Sequence, residues 1–568
     1  MGVGASGVIN YANVSTGATG NVVAYGGIGG PYETQPFFNA LNWFAAGEQG
    51  AWYDPSDLTT LFQDSAGTTP VTAVEQPVGL MLDKSKGLAL GAELVTNGDF
   101  SNGSTGWSVG AGVSVTSNSA VFTSVAGGVG LSQAGATFVT GNFYIVEWDV
   151  FSYTSGAGIF VRLGNAGNFY STTPTVGHKR LIIPAGGSNS IANFVEGGTN
   201  GSYTLDNISV KQIAGNHAFQ ATAGNRPTLS ARVNLLTKTE DFSDGVWAYL
   251  VNSTKVDYQT ISFAGVGRFG AFGMSGITLG SSYTYSIEVK AGTKAGTIRL
   301  IDSDNPSPFV EVTLNSTWQK LTLQYSPVNL VYFSLQNTDG NAGTVLVRNA
   351  DLRPTNAGAL LPPYQRVNTA SDYDTVGFPL YLKANGTSSA MSTNSIDFTA
   401  TDKMTVVTGV RKLSDADQNV MSLGPLFGVG SFEISSPNSY LASSAANFYW
   451  LLAQGPTSTT MGSIYATPFV APISSVLSCN FNFGGATLAN QILPRVNGVI
   501  PTLAASTLGT YAGTGNFGNY PLYLFARAGT SLYLNGQFYG AIIRGAQSDN
   551  SSVIQTEQYM AQKTGITF

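Results

Sequence analysis

The chain holds one cysteine and two histidines in 568 residues, and only 10% of its residues are charged. A lone thiol, Cys479, cannot close an intrachain disulfide. It stands in Val476-Leu477-Ser478-Cys479-Asn480-Phe481, which reads as a strand, so a buried, inert thiol is expected. Folding without disulfides suits synthesis in a reducing cytoplasm. His178 and His217 stand far apart, and neither lies near a Cys/His/Asp cluster, so a zinc or catalytic role lacks ligands. No nucleophile elbow, phosphate loop or metalloprotease motif occurs. No Lys/Arg run marks a phosphate-tracking surface, and the net charge is −6, which argues against nucleic acid as a partner. No apolar run of about 18 residues is present, so no membrane-spanning helix is expected. Met1 to Asn10 lacks the basic and apolar regions of a secretory signal; export by another route, such as release inside a particle at lysis, is the expectation.

What is abundant is glycine, 69 residues of it, punctuating short runs of Val, Ile, Thr, Tyr and Phe. Many runs alternate in polarity, as in Phe143-Tyr144-Ile145-Val146-Glu147-Trp148-Asp149-Val150 and Tyr283-Thr284-Tyr285-Ser286-Ile287-Glu288-Val289. Alternation with frequent turn residues predicts half-buried strands in sandwiches. With 43% hydrophobic residues there is material for ordinary cores. The expectation is an all-β chain of several jelly-roll sandwiches, an extended N-terminal arm and one short C-terminal helix. That helix is predicted over Ser551 to Lys563, with Gly565 as its stop.

An internal repeat organises the middle. Asp99-Phe100 before Trp107 is matched by Asp241-Phe242 before Trp247, and Asn207 in one closing strand by Asn349 in another. Both the Asp-Phe pair and the Asn are offset by 142 residues (241 − 99 and 349 − 207). The organisation expected is a docking arm over 1–50, an opening segment over 51–92, a sandwich module over 93–212 and a connector over 213–233. A second module over 234–354, a linker over 355–373 and a final sandwich over 374–568 follow.

Asn97-Gly98-Asp99-Phe100 with Gly106-Trp107, closed by Leu205-Asp206-Asn207-Ile208-Ser209-Val210, resembles carbohydrate-binding jelly-roll modules. The second copy reads as having Glu240 for Gly98 and Arg348 for Asp206. Trp52-Tyr53-Asp54-Pro55-Ser56-Asp57-Leu58 and Leu61-Phe62-Gln63-Asp64-Ser65-Ala66-Gly67 look like the opening of tailed-bacteriophage virion proteins of the fibre or decoration kind. Gln220-Ala221-Thr222, Asn225-Arg226-Pro227, Phe378 to Leu382, Met404 to Val407, the strand from Gly536 to Ile543 and the Glu557-Gln558-Tyr559-Met560-Ala561 helix continue that resemblance. It implies a concanavalin/laminin-G-like final sandwich, which either begins near Trp52 and resumes near Asp374 with both modules inserted, or follows them as a separate body.

The resemblance implies a particle-surface location after synthesis in the bacterial cytoplasm, docking to capsid, portal or tail proteins through Phe37, Phe38, Trp43 and Phe44, and a homo-oligomer, trimeric if it is a fibre. Neutral surfaces of Ser, Thr, Asn and Gly suit host-surface glycan, with aromatic rings to stack on sugars. Tyr153, Trp148 and Tyr249 are the candidates, although such rings more often belong to cores. Glu147 and Asp149, about 7 Å apart on one strand face, could be imagined as a glycosidase pair, but a solvated strand face explains them better. Asp302 and Asp304 are candidates for a structural calcium, against the simpler reading of a polar turn; no other cofactor is expected. No enzymatic activity is expected. The alternatives are a polysaccharide depolymerase or a secreted bacterial glycan-binding adhesin.

Overall fold

In a computed structural model the described residues are 40–187, 191–271, 277, 279–302, 305–327, 333–355, 361–425, 428–437, 447–454, 459–465, 469–500, 503–504 and 514–568. Phe37, Phe38 and Asp304 therefore lie outside the described residues. Residues 39–568 form one compact unit of antiparallel sheets.

A main sandwich gathers strands from three separate stretches of chain. One sheet contains Thr228–Ser230, Tyr381–Asn385, Asn535–Arg544, Lys403–Lys412, Ile473–Asn482 and Ile492–Val496, and Gly50–Tyr53 joins it along Asn535–Arg544 with Trp52 opposite Ile542. The facing sheet starts with Leu61–Phe62, Leu80–Met81 and Ala218–Phe219 and continues through Met391–Asp397, Asn519–Leu524 and Asn419–Leu423. Between the sheets lies one apolar core, including Tyr53, Leu229, Val406, Trp450, Leu477 and Phe538. Cys479 is buried in it, and burial pushes its thiol pKa well up. The chain thus leaves this sandwich after Met81, returns at Ala218–Ser230, leaves again and returns at Tyr381. Residues 213–233 are more than a connector: they supply Ala218–Phe219 to one sheet and Thr228–Ser230 to the other.

The helix at the end spans Asn550–Thr564. Asp549 caps it, accepting from the Ser552 N–H at 2.8 Å, and Gly565 ends it in the left-handed region at φ 69°. Its Lys563 ammonium lies 3.0 Å from Asp54, which Lys84 also approaches at 3.4 Å, so the two ends of the described chain are pinned together. Burial works to raise the Asp54 pKa, but Lys563 and Lys84 outweigh it and hold the carboxyl at about 2.

Each excursion is a sandwich module. In the first, alternation along Phe143–Ser155 buries Val146, Trp148 and Val150 and leaves Glu147 and Asp149 on the outer face. That strand sits in a six-stranded sheet facing a five-stranded one. In the second module a single long strand, Thr260–Gly270, pairs with Gly343–Pro354 through Thr260–Phe263 and with Phe333–Asn337 through Gly267–Gly270. Its two halves serve the two layers, so the layers join as one eight-stranded sheet. The first module divides the same work between Ser119–Val125 and Gly130–Ala134.

Candidate functional site

The two modules share the turn that carries the repeat. Trp107 Nε1 donates to the Asn97 carbonyl at 2.9 Å, and Trp247 Nε1 to the Lys238 carbonyl at 3.0 Å; Asn97 and Lys238 both sit at φ 53°. Asp99 accepts from the Ser101 N–H and hydroxyl, and Asp241 from those of Ser243. The Gly98 carbonyl accepts from the Ile208 N–H at 2.9 Å, as the Thr239 carbonyl does from Ala350 at 3.4 Å. Gly98 therefore corresponds to Thr239, and Glu240 is an inserted residue rather than the replacement for Gly98. A Cβ at Gly98 would run into the Ile208 carbonyl, which explains the glycine. Both tryptophans are buried and belong to this turn.

The outer strand faces also correspond. Asn207 and Asn349, at φ 54° and 55°, occupy matching bulges, and their amides donate to Asp149 at 2.8 Å and to Glu288 at 3.1 Å. The register thus equates Asp149 with Glu288. Around that carboxylate the first module places His178, whose Nδ1 lies 2.9 Å from Asp149, with Glu147 3.6 Å from the other ring nitrogen. The Asn207 hydrogen bond, with help from His178, lowers the Asp149 pKa. An ionised, bridged carboxylate on an open face is no general acid. The second module places Arg348 on Glu288 at 2.7 Å and stacks the same guanidinium 4.2 Å from the half-buried Trp318 ring, with Lys290 5.3 Å from that ring.

The candidate glycan residues separate on inspection. Trp148 is 1% exposed and packs against Phe194, so it has no face for a sugar: alternation puts it inward, and this corrects its selection as a stacking ring. Tyr153 is half-buried; its ring stacks on Tyr203 at 6.4 Å and its hydroxyl donates to the Gly156 carbonyl. Tyr249 is half-buried on the second module's edge strand Tyr249–Lys255, opposite Gly270. Asp302 is buried at the end of Thr297–Asp302, across the ladder from Phe333. Among the described residues no three His, Cys, Asp or Glu side chains converge as metal ligands. Trp43 and Phe44 are half-buried, and the Phe44 ring lies over Gly50, where a Cβ would come within 2.6 Å of it. Phe44 thus covers the edge of the chain's own main sandwich.

One concavity was not visible in the sequence. A cleft of about 470 Å³ lies between the main sandwich and the second module. Tyr381, Lys383, Arg411, Gln537 and Tyr539 line it from the main sandwich, with Glu75, Ser230 and Arg232 beside them and Leu235, Ile277 and Pro354 across from them. The Tyr381 and Tyr539 rings meet edge to face at 5.5 Å. Tyr381 donates to the Arg232 carbonyl at 2.6 Å and Tyr539 to Gln537 Oε1 at 2.7 Å. Burial pushes both hydroxyls up, Tyr539 to about 12, so both stay neutral donors. Glu75, held at φ 62°, accepts from Tyr373 at 2.5 Å and from Ser230 at 2.7 Å. It is the one carboxylate among the described lining residues. A wall carrying amide, ammonium and guanidinium groups can bind a polar ligand; its described lining residues do not offer an acid–base pair.

No family model matches the chain, and no curated protein matches it. Among solved structures, the chain is similar to the CBM40 domain of Ruminococcus gnavus IT-sialidase bound to α2,3 sialyllactose, at 14% identity over 28% of this chain and 83% of that one, with a TM-score of 0.21. It is similar to the CBM22 tandem domain of Paenibacillus barcinonensis Xyn10C at 13% identity over 47% of this chain and 98% of that one, with a TM-score of 0.21. It is also similar to Trypanosoma rangeli sialidase in complex with the inhibitor DANA, at 11% identity over 79% and 86% of the two chains, with a TM-score of 0.23.

Proposed function

We propose that this chain is a non-catalytic glycan-binding protein that displays three β-sandwich bodies, and that it works on the surface of a bacteriophage particle. The observation that carries the binding half is the cleft beside Tyr381 and Tyr539. Its volume of about 470 Å³ falls within the range of about 300–1,000 Å³ typical of small-ligand sites. Its lining presents the polar ends of Arg232, Lys383, Asn535 and Gln537, which suit a polyhydroxylated ligand. Hydrolysis of a glycosidic bond uses two carboxyl groups flanking it, and Glu75 stands without a second among the described lining residues. Weak single-site affinity would be multiplied by copy number on a particle. The particle location rests on the resemblance of the Trp52 to Gly67 segment and the later landmarks to virion proteins.

Binding of the full chain to a panel of bacterial surface polysaccharides tests the first half. Retention on at least one polysaccharide, without release of new reducing ends, is the expected result. Reducing ends accumulating with time would replace binding by depolymerisation. For the location, antibody labelling of particles in lysates should decorate them; label confined to the soluble fraction points to a secreted adhesin instead.

A further inference from the structure

The charge of the cleft is unlike that of the rest of the molecule. Only 26 of 568 residues are Lys or Arg, yet Arg232, Lys383 and Arg411 all line this one concavity against Glu75 alone, a formal excess of two positive charges among the described lining residues (3 − 1). The Arg232 guanidinium donates to backbone carbonyls, from Nε to Asn234 at 3.0 Å and from Nη2 to Leu235 at 3.2 Å and Leu236 at 3.0 Å. These contacts fix the fork without neutralising it. Burial lowers its pKa, but an arginine remains charged in proteins. Arg411 is buried in the floor, where Nη1 donates to Ser474 at 2.9 Å. Lys383 is exposed at the mouth, on Tyr381–Asn385. Gln537 is 9% exposed, and its Oε1 already accepts from Tyr539, so its amide N–H groups are the part left to meet a ligand.

We infer that this cleft takes an anionic, carboxylated sugar, with the carboxylate drawn to the Arg232 and Lys383 side and the ring hydroxyls meeting Asn535 and Gln537. The inference deepens the glycan-binding reading and rests on it. Fixed cations in a partly desolvated recess attract an anion more strongly than the same charges on an open face. A neutral sugar gains nothing from the positive charge at the mouth, so the same cleft favours the anion over it.

Calorimetry of the full chain with trigalacturonate and with its carboxyl-reduced neutral counterpart tests this. Trigalacturonate should bind roughly tenfold or more tightly than the neutral trisaccharide, and added salt should narrow the gap. Lys383→Glu, at an exposed site, should weaken trigalacturonate roughly tenfold or more while leaving the neutral sugar unchanged. Lys383→Gln should fall between, and a circular-dichroism melt confirms that both variants fold. Equal binding of the two trisaccharides overturns the charge preference and leaves glycan binding standing. Trigalacturonate binding that is unmoved by Lys383→Glu removes this cleft as the site. If neither trisaccharide binds, nor any glycan of the polysaccharide panel, the broader glycan-binding reading goes as well.

Discussion

The first and second modules use one turn chemistry but are fastened to the main sandwich by opposite means. The first sits on an apolar seam: its Phe143, Ile145, Ile182 and Ile213 pack with Phe62, Leu80 and Leu82 of the main sandwich, and Phe143 meets the His217 and Phe219 rings at 5.2 and 5.6 Å. The second is held by two fully buried amides. Asn234 donates to the Ala350 and Gln365 carbonyls and accepts from Leu236 and Leu352. Gln365 accepts from the Val233 and Asn234 N–H groups and donates to the Ala231 and Asp374 carbonyls, all within 3.0 Å. Gln365, which falls within the expected linker over 355–373, is therefore a structural part of the junction. An apolar seam tolerates slip and repacking, whereas a network with every group paired fixes one geometry. The fixed seam is the one that carries the cleft, and a cleft shared by two bodies needs its walls held in place.

The deepest test of likeness between the modules is the shared tryptophan. Trp247→Ala should destabilise the second module by about 3–5 kcal/mol, as large core truncations do. Trp247 is 1% exposed and packs on Phe242 at 4.7 Å and Phe269 at 6.0 Å. Trp107→Ala should cost the first module less, because Trp107 is 7% exposed and its contacts with Phe100 and Phe194 are 5.5 and 6.0 Å. Urea unfolding followed by hydrogen exchange in each module checks the order. A larger loss at Trp107 would break the correspondence of the two turns.

The seams should part company at the next level. Gln365→Ala strands two buried N–H groups and two carbonyls and should cost about 3 kcal/mol. Gln365→Met keeps the bulk but should recover little, because the backbone groups stay unpaired. At the apolar seam the matching exchange, Ile182→Met, should cost less than about 1.5 kcal/mol. Hydrogen exchange at the Val233 and Asn234 amides reads the first effect directly. Equal tolerance of methionine at both seams would erase the distinction.

The class of fold was legible because alternation is a local property: Val146, Trp148 and Val150 point inward for the same reason that Glu147 and Asp149 point out. The terminal helix was legible from Gly565 and the spacing of Val553, Glu557 and Met560, all buried. The Asn-Gly-Asp-Phe and Trp residues stood out because each makes a turn-specific hydrogen bond. Their register did not: the offset between matching residues is 141 at Asn97 and Lys238 (238 − 97), 142 at Asp99 and Asp241 (241 − 99) and 139 at Asp149 and Glu288 (288 − 149), changes that no offset between whole segments reveals. The cleft was hidden for a different reason. Glu75, Arg232, Tyr381, Arg411 and Tyr539 span more than four hundred positions of chain (539 − 75 = 464) and meet through strand pairing of the main sandwich, so no local motif announces them. Trp318 was hidden for the same reason: only the sheet places it beneath Arg348.

The smallest expected difference concerns acid, and it isolates one ring. His217 is wholly buried in the first module's seam, where Nδ1 accepts from the Asp83 N–H at 2.9 Å. Burial pulls its pKa from 6.5 to about 4. The unfolded chain binds the proton first, so stability falls as pH drops below about 6.5, and the loss is complete only below about 4. Between pH 7 and pH 5 this amounts to about 2 kcal/mol. Asn234 and Gln365 do not titrate, so the second seam should hold across the same window. His217→Gln removes the titration: the variant is less stable at pH 7, but the gap to the parent should shrink by about 2 kcal/mol at pH 5. Asp83, whose carboxyl burial pushes up, remains in both proteins and largely cancels in the difference. Urea melts at the two pH values read that gap, and a gap independent of pH would mean that the first seam, too, is indifferent to protons.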